Sequence, residues 1–459
     1  MGSTNNLVVL SNRGPISFGR DAAGTIQIKR GGGGLVVTLG PGVERDGALW
    51  LAAATSEVEL EAAARGMATH GQLRFQAVPV LPADYSAYYD VVSNQTLWFC
   101  LHGLWDLPRR PRFDRHWWAA WERFEAVNEA FATAADDAAD TGATVLIHDY
   151  HLALVPRMLA ERRPDLKTTT FLHTPWCSPE ELAVLPDEVA HAVLAGLAGG
   201  GPVGFHCQRW AASFEACCRR VLGHPVETYL APAATDLDDI RTVAASARCA
   251  EELAQLEEEV GDRRLIVRVD RIELSKNVLR GFWAYDELLE TRPDLRGSVV
   301  FAAKVYPSRL GLAEYQAYGA EVQALANRIN SKWAKPGWTP ILIDTEDNYP
   351  RSVAALRRFD VLLVNPVRDG LNLVAKEGPL VNERDGVVVL SREAGCWDEI
   401  GQDVIGINPF DVSSTAAALA RALDMPAAER TSRATATRAA AALRSPLDWF
   451  DDQLAAAAR

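Results

Sequence analysis

The segment Val367-Arg368-Asp369-Gly370-Leu371-Asn372-Leu373-Val374-Ala375-Lys376-Glu377 groups charged and turn-forming residues directly after the continuous apolar run Val361-Leu362-Leu363-Val364. Such a run reads as a central parallel strand, so Arg368, Asp369, Gly370 and Asn372 fall at its carboxyl end, where open α/β sheets hold ligands. Helix-N-terminal amides there could hold an anion, and Glu377, eight residues after Asp369 and two turns into a helix, could accept two hydroxyl hydrogen bonds from a ribose. Arg271 and Lys276 stand five residues apart after the run Leu265-Ile266-Val267. If the chain turns there, the Arg fork and the Lys point charge converge on one anion, most naturally a diphosphate. Arg13 follows Leu7-Val8-Val9-Leu10, and Arg309 follows the rigid turn Tyr306-Pro307-Ser308, so both are placed to meet a second phosphate. For each of these, a solvated turn or surface cation is the other reading.

Weaker patterns stand beside these. Gly31 to Gly34 lacks the Lys-Ser/Thr of a P-loop and the spacing of a dinucleotide fingerprint, which leaves close backbone approach to a phosphate or sugar, or a hairpin tip. His148-Asp149-Tyr150-His151 has two histidines but no third ligand class nearby, so hydrogen bonding to hydroxyls fits it better than zinc. Tyr85, Tyr88, Tyr89, Trp98 and Trp105 form either core or a sugar-stacking wall.

Parallel strands separated by helical crossovers must position these groups. Strand-like runs at Leu7–Leu10, Thr144–Ile147 and Thr168–Leu172 lead into Ser11-Asn12-Arg13, His148-Asp149 and His173-Thr174-Pro175, with helical patterns at Trp117–Ala139 and Leu152–Arg162 between them. A second series starts after Pro232 and includes runs at Leu265–Val267, Val299–Phe301, Ile341–Ile343, Val361–Val364 and Val387–Leu390, alternating with helices such as Val278–Leu289. The class is therefore α/β, with two Rossmann-like doubly wound sheets: residues 1–233, residues 234–444, and a closing helix over 445–459. A chain of 459 residues suits two domains.

A net charge of −13 argues against a general nucleic-acid or anionic-membrane surface, so an anionic ligand must be met by local cations. The seven cysteines show neither disulfide nor zinc spacing, which fits a reducing cytoplasm. No apolar run reaches membrane-spanning length and no signal peptide is visible. A homo-oligomer is allowed but not readable.

Together these residues resemble the trehalose-6-phosphate synthase family of retaining glycosyltransferases, whose two Rossmann-like domains face one another across a cleft (the GT-B arrangement). The resemblance runs through Ser11-Asn12-Arg13, Gly33-Gly34-Leu35, Tyr89 with Leu97-Trp98, His148 to His151, His173-Thr174-Pro175, Gly204-Phe205-His206, Arg271 with Ser275-Lys276, Ser308-Arg309, Gly337 to Pro340, Arg368 to Glu377 and Asn408 to Asp411. It implies a metal-independent enzyme without cofactor, whose second domain takes a nucleotide-diphosphate glucose and whose first takes glucose 6-phosphate. It also implies that Arg271 and Lys276 bind the diphosphate with amides around Gly33, Gly34, Leu35, Gly370, Asn372 and Leu373, and that Glu377 holds the ribose. His173 and Asp369 would grip the donor glucose, Asp149 would lie beside the anomeric centre, and Arg13, Tyr89, Trp98 and Arg309 would bind the acceptor. Where the family reads the base, this chain has Asp344, Glu346 and Asp347; carboxylates accept the two adjacent donors of guanine, so GDP-glucose is expected over UDP-glucose.

Departures exist. Leu51-Ala52-Ala53-Ala54, Tyr229 to Asp236 and Asn277 replace usual family residues, and Gly378-Pro379-Leu380-Val381-Asn382-Glu383-Arg384 resembles the pseudo-glycosyltransferase validoxylamine phosphate synthase. Coupling of a nucleotide-activated cyclitol to an aminocyclitol phosphate is thus an alternative. A sugar-phosphate-sensing regulator is a non-enzymatic one.

Overall fold

The computed structural model describes residues 5–21, 24–30, 34–65 and 69–459. The chain divides into two compact units, Met1–Ala233 with Pro446–Arg459, and Ala234–Ser445. Each carries its own sheet, as the doubly wound α/β expectation requires.

The strands of the first unit are β1 (Leu7–Ser11), β2 (Ile16–Arg20), β3 (Ile26–Arg30), β4 (Leu49–Ala54), β5 (Thr69–His70), β6 (Leu73–Pro79), β7 (Thr144–His148), β8 (Lys167–Phe171), β9 (Val203–Phe205) and β10 (Thr228–Leu230). Eight of them form one sheet in the order β10-β9-β8-β7-β1-β4-β6-β5, parallel except for the β5–β6 pair, while β2 and β3 form a separate antiparallel hairpin. The chain winds outward from β1 through β4 to β6, then returns to β7 on the other flank of β1. The switch point is therefore between β1 and β7, and Arg13 and Asp149 follow their carboxyl ends.

The apolar stretch after the glycine run is the helix Gly34–Asp46. Val36, Leu39 and Val43 recur at helical spacing and are buried. The crossover expected over Leu152–Arg162 is a 3₁₀ turn, Tyr150–Leu152, followed by the helix Val155–Arg162 with proline in its first turn.

The last helix, Pro446–Ala457, packs on Gly34–Asp46, β7 and β8, burying Trp449, Phe450 and Gln453. The contact with Gly34–Asp46 needs a glycine: a Cβ at Gly42 would sit 2.3 Å from Cγ of Phe450. Gly42→Ala is expected to destabilise the protein by about 1–3 kcal/mol through overpacking, read as a shift of the denaturant midpoint; Gly42→Ala with Phe450→Leu should recover part of it.

The second unit has β11 (Arg264–Ile272), β12 (Val299–Pro307), β13 (Ile341–Asp344), β14 (Val361–Val364), β15 (Val387–Ser391) and β16 (Ile405–Ile407), all parallel in the order β13-β12-β11-β14-β15-β16. Its switch point lies between β11 and β14. The segments with Lys276 and Asp369 leave the carboxyl ends of those two strands. Among the described residues no helix is long and apolar enough to cross a membrane.

Candidate active site

In the second unit the switch point is bridged by charge. Lys276 Nζ lies 2.6 Å from Asp369 Oδ2, and the same oxygen accepts from Asn372 Nδ2 at 3.0 Å. Burial works against the Lys276 charge, but Asp369, Asp270 and Glu273 outweigh it and hold its pKa above the ordinary value. The ammonium stays charged in a poorly solvated place, where it acts strongly on an incoming anion.

A buried polar frame holds this lysine. Arg268, fully buried on β11, donates to Asp270 Oδ2 at 2.9 Å and to the Lys276 carbonyl at 2.8 Å. Asn277, where the family usually has glycine, takes the left-handed conformation (φ 60°), which asparagine tolerates better than most residues. Its side-chain amide donates to the carbonyls of Asn365 at 2.9 Å and Pro409 at 2.8 Å.

Arg271 is half-exposed and 3.1 Å from Glu273 Oε1, which also receives Arg309 Nη1 at 3.1 Å and the Ser308 hydroxyl at 3.2 Å. Glu273 is 2% exposed, so one buried carboxylate aims both arginines. Arg309, at φ 46°, also donates to the Tyr315 hydroxyl at 2.5 Å. Sequence reading missed Glu273, Arg268 and Asp270. The only local signal was the alternation of charge along Arg268-Val269-Asp270-Arg271-Ile272-Glu273.

The turn after β14 is rigid. Asp369 N–H donates to the Glu393 carbonyl at 3.1 Å, the Gly395 N–H donates to the Asp369 carbonyl at 3.1 Å, and a Cβ at Gly395 would lie 1.8 Å from the Gly370 oxygen. Asn372 sits at φ 78° and its Oδ1 accepts the Ala375 amide at 3.2 Å, setting the start of the helix Val374–Val381 just after Leu373. Behind it Lys376, 1% exposed, pairs with Glu399 at 2.7 Å. Glu377 is partly buried, and burial, with Asp239 nearby, pushes its carboxyl up to about 7.

The three carboxylates at the end of β13 and just beyond it are not equivalent. Asp344 pairs with Arg351 at 2.8 Å and Lys304 at 3.4 Å, Glu346 pairs with Arg351 at 2.9 Å, and Asp347 is exposed. The same Arg351 reaches buried Glu252 at 2.6 Å.

In the first unit Asp149 stands at φ 71°, ψ 165°, a conformation that non-glycine residues avoid and that clusters at functional sites. Hydrogen bonds hold it there: its N–H donates to the Phe171 carbonyl at 2.8 Å, and Oδ1 accepts the amides of Tyr150 at 3.1 Å and His173 at 3.2 Å. Asp149 and His173 are thereby fixed to one another. The Arg13 guanidinium lies 5.8 Å and 5.7 Å from the ring centroids of Tyr85 and Tyr89, and Tyr89 stacks on His151 at 5.7 Å. Tyr89 belongs to a π-helix, Ala87–Leu97, whose widened turns are filled by Ser93, Asn94 and Thr96 donating to carbonyls five residues back. Trp98 is 2% exposed and stacked on His102 at 4.1 Å, so of the expected acceptor rings Tyr89 is the partly exposed one. Gly33 lies outside the described residues. Gly34 and Leu35 open a helix, whose first amides have no acceptor within it.

The first switch point thus presents an arginine between tyrosine rings and a rigidly held aspartate, and the second presents a lysine and two arginines paired with carboxylates, of which Glu273 is buried, beside the start of a helix. The pattern of Glycosyltransferase family 20 matches residues 5–459. The bifunctional trehalose-6-phosphate synthase/phosphatase of Thermoproteus tenax is 31% identical over 97% of this chain, which spans 62% of that protein's length. Among solved structures, one from E. coli, named for trehalose-6-phosphate and bound with UDP-2-fluoro glucose, is 28% identical with a TM-score of 0.85, covering 98% of each chain. An α,α-trehalose-phosphate synthase (UDP-forming) from Burkholderia xenovorans in complex with glucose-6-phosphate is 26% identical with a TM-score of 0.85, covering 99% of this chain and 100% of that one.

Proposed function

The chain belongs to glycosyltransferase family 20, and from that premise we propose that it is a trehalose-6-phosphate synthase, transferring glucose with retention from a nucleotide-diphosphate glucose to glucose 6-phosphate. The observation that carries this reading is the Lys276–Asp369 pair across the β11–β14 switch point, with Asn372 on the same carboxylate.

Bond breaking between the anomeric carbon and the diphosphate puts negative charge on the leaving oxygens. Lys276, Arg271 and the amides at Asn372 and Leu373 are the groups to receive it, and preorganised charges of this kind contribute most of such a rate enhancement. The acceptor's anomeric hydroxyl forms the new bond on the same face, and its proton passes to the departing phosphate. Asp149, His173 and Asp369 orient the donor sugar, while Arg13, Tyr89, Trp98 and Arg309 serve the acceptor.

The expectation of guanine rested on three carboxylates open to a base. Two of them are taken by Arg351 and Lys304, so support passes to uridine, the nucleoside carried by the ligand of the E. coli neighbour. The donor proposed is UDP-glucose.

The test is to incubate the purified protein with glucose 6-phosphate and either UDP-glucose or GDP-glucose, then identify the product by mass and its anomeric configuration by NMR. An α,α-1,1-linked disaccharide phosphate with higher kcat/KM for UDP-glucose is expected. Absence of any coupling to glucose 6-phosphate sinks the function, and a tenfold preference for GDP-glucose sinks only the uridine assignment.

Glu377 makes donor binding depend on pH. An acid whose pKa is raised to about 7 loses its charge as pH falls through that value. If the ribose hydroxyls are held by the carboxylate, donor KM should be low above pH 7 and rise about tenfold from pH 8 to pH 6. Glu377→Gln should flatten that profile; an unchanged profile removes Glu377 from the donor site.

A further inference from the structure

His148, the last residue of β7, is completely buried, and its Nδ1 lies 3.2 Å from Nε2 of His173. Burial pushes His148 well below the ordinary histidine value and His173 down to about 3, so both rings are neutral. A neutral imidazole has one donor and one acceptor nitrogen. A single proton therefore lies between the two rings, and its owner decides what the remaining nitrogen of His173 offers a ligand.

The deciding atom is Nε2 of His148, which is buried without a hydrogen-bond partner among the described residues. Packed on the same ring, at 5.9 Å between centroids, is Trp449 from the last helix, whose Nε1 is likewise buried without a partner among them. An indole N–H can only donate. A proton on Nε2 of His148 would put two unsatisfied donors into one dry neighbourhood. With the proton on Nδ1 instead, Nε2 is an acceptor, which one water could join to the indole N–H.

We infer that His148 is a positioning residue: backed by Trp449, it donates its Nδ1–H to Nε2 of His173 and so holds His173 as the Nδ1–H tautomer, which presents a hydrogen-bond donor to a hydroxyl oxygen of the donor sugar. The geometry is independent of the proposed function; the consequence for turnover rests on the proposed contact of His173 with the donor sugar. Through this chain of rings the last helix reaches the site from behind, although none of its residues is assigned to touch substrate. His173 is partly exposed while His148 is not, so Nδ1 is the nitrogen left for a ligand.

The test begins without substrate, on the full chain with ¹⁵N-labelled rings in its nine histidines. His148 and His173 should both be protonated at Nδ1 and bare at Nε2; a proton on Nε2 of His173 overturns the inference. His148→Asn keeps an N–H donor near the Nδ1 position and should preserve the His173 tautomer, with kcat within about threefold of the parent. His148→Leu lacks the donor and should give a mixture of His173 tautomers, with kcat down about tenfold or more and KM for glucose 6-phosphate unchanged. Trp449→Phe should populate the Nε2–H tautomer of His148. If His173 keeps its Nδ1–H tautomer in His148→Leu, His148 does not set it and the inference fails. Should His148→Leu not fold, the parent spectrum and the Asn variant still decide. Should the protein transfer no glucose, the ring spectra still report the tautomer, so the two failures are distinguishable.

Discussion

Lys276→Ala is expected to lower kcat/KM for the nucleotide sugar at least a hundredfold, about 3 kcal/mol of transition-state stabilisation, while KM for glucose 6-phosphate changes little. The charge it removes is held ready: the ammonium is 2.6 Å from Asp369 and its backbone carbonyl is tied to buried Arg268. A water-exposed lysine would reorganise as the leaving group develops charge, and this one does not have to. The variant also takes the neutralising cation from Asp369, which keeps its bond from Asn372 but now sets a carboxylate charge beside the developing anion, adding repulsion to the lost attraction. Arg271→Ala should act in the same direction, because Glu273 fixes its guanidinium. Steady-state kinetics with both substrates varied is the measurement, with a thermal melt to show that each variant is folded. If either variant keeps full turnover but loses glucose 6-phosphate binding, these cations do not serve the donor diphosphate.

Arg13→Ala should weaken glucose 6-phosphate about tenfold to a hundredfold, in line with about 1.5–3 kcal/mol for a hydrogen bond to a charged group, and leave donor KM nearly unmoved. Arg13 follows β1 at its switch point, and Tyr85 and Tyr89 flank its guanidinium. Burial opposes its charge, but these hydroxyls and Glu59 keep the pKa above its ordinary value, so it is cationic at every working pH. Free glucose should be a poor acceptor for the parent and should lose little in the variant. Arg309→Ala should act in the same direction, with part of its effect coming from Glu273, which loses one of its two arginines. Titration calorimetry of glucose 6-phosphate into both variants decides the matter: unchanged affinity in each removes both arginines from the acceptor's phosphate.

Much of this architecture was legible in the amino-acid sequence because a buried parallel strand is written locally. Leu7–Ser11, Thr144–His148, Val361–Val364 and Val387–Ser391 are almost wholly buried, so each reads as an unbroken apolar run ended by polar or turn-forming residues, and the candidate ligand-binding turns lie at the carboxyl end of each run. Asp149, Asp369 and Asn372 surface that way, whereas His173 follows the threonine-rich strand Lys167–Phe171 and Arg271 lies within β11. The apolar stretch Leu35-Val36-Val37-Thr38-Leu39 after the glycine run suits strand or helix by composition, and burial of Val36, Leu39 and Val43 at helical spacing makes it a helix.

Only the tertiary structure decided which charges are spent on one another. Asp344 and Glu346 stand as separate carboxylates in the sequence, and β13 and the helix Tyr349–Arg358 bring Arg351 onto both. Glu273 is an unremarkable residue between Ile272 and Leu274 until Arg309, 36 residues on, meets it. His148 meets His173 only because β7 and β8 are neighbours, and it meets Trp449 only because the final helix returns to that sheet. Strand and turn preferences act between residues adjacent in sequence, whereas neutralisation of a charge or the choice of an imidazole tautomer acts through space between residues that strand order brings together, and strand order is settled by the packing of the whole unit.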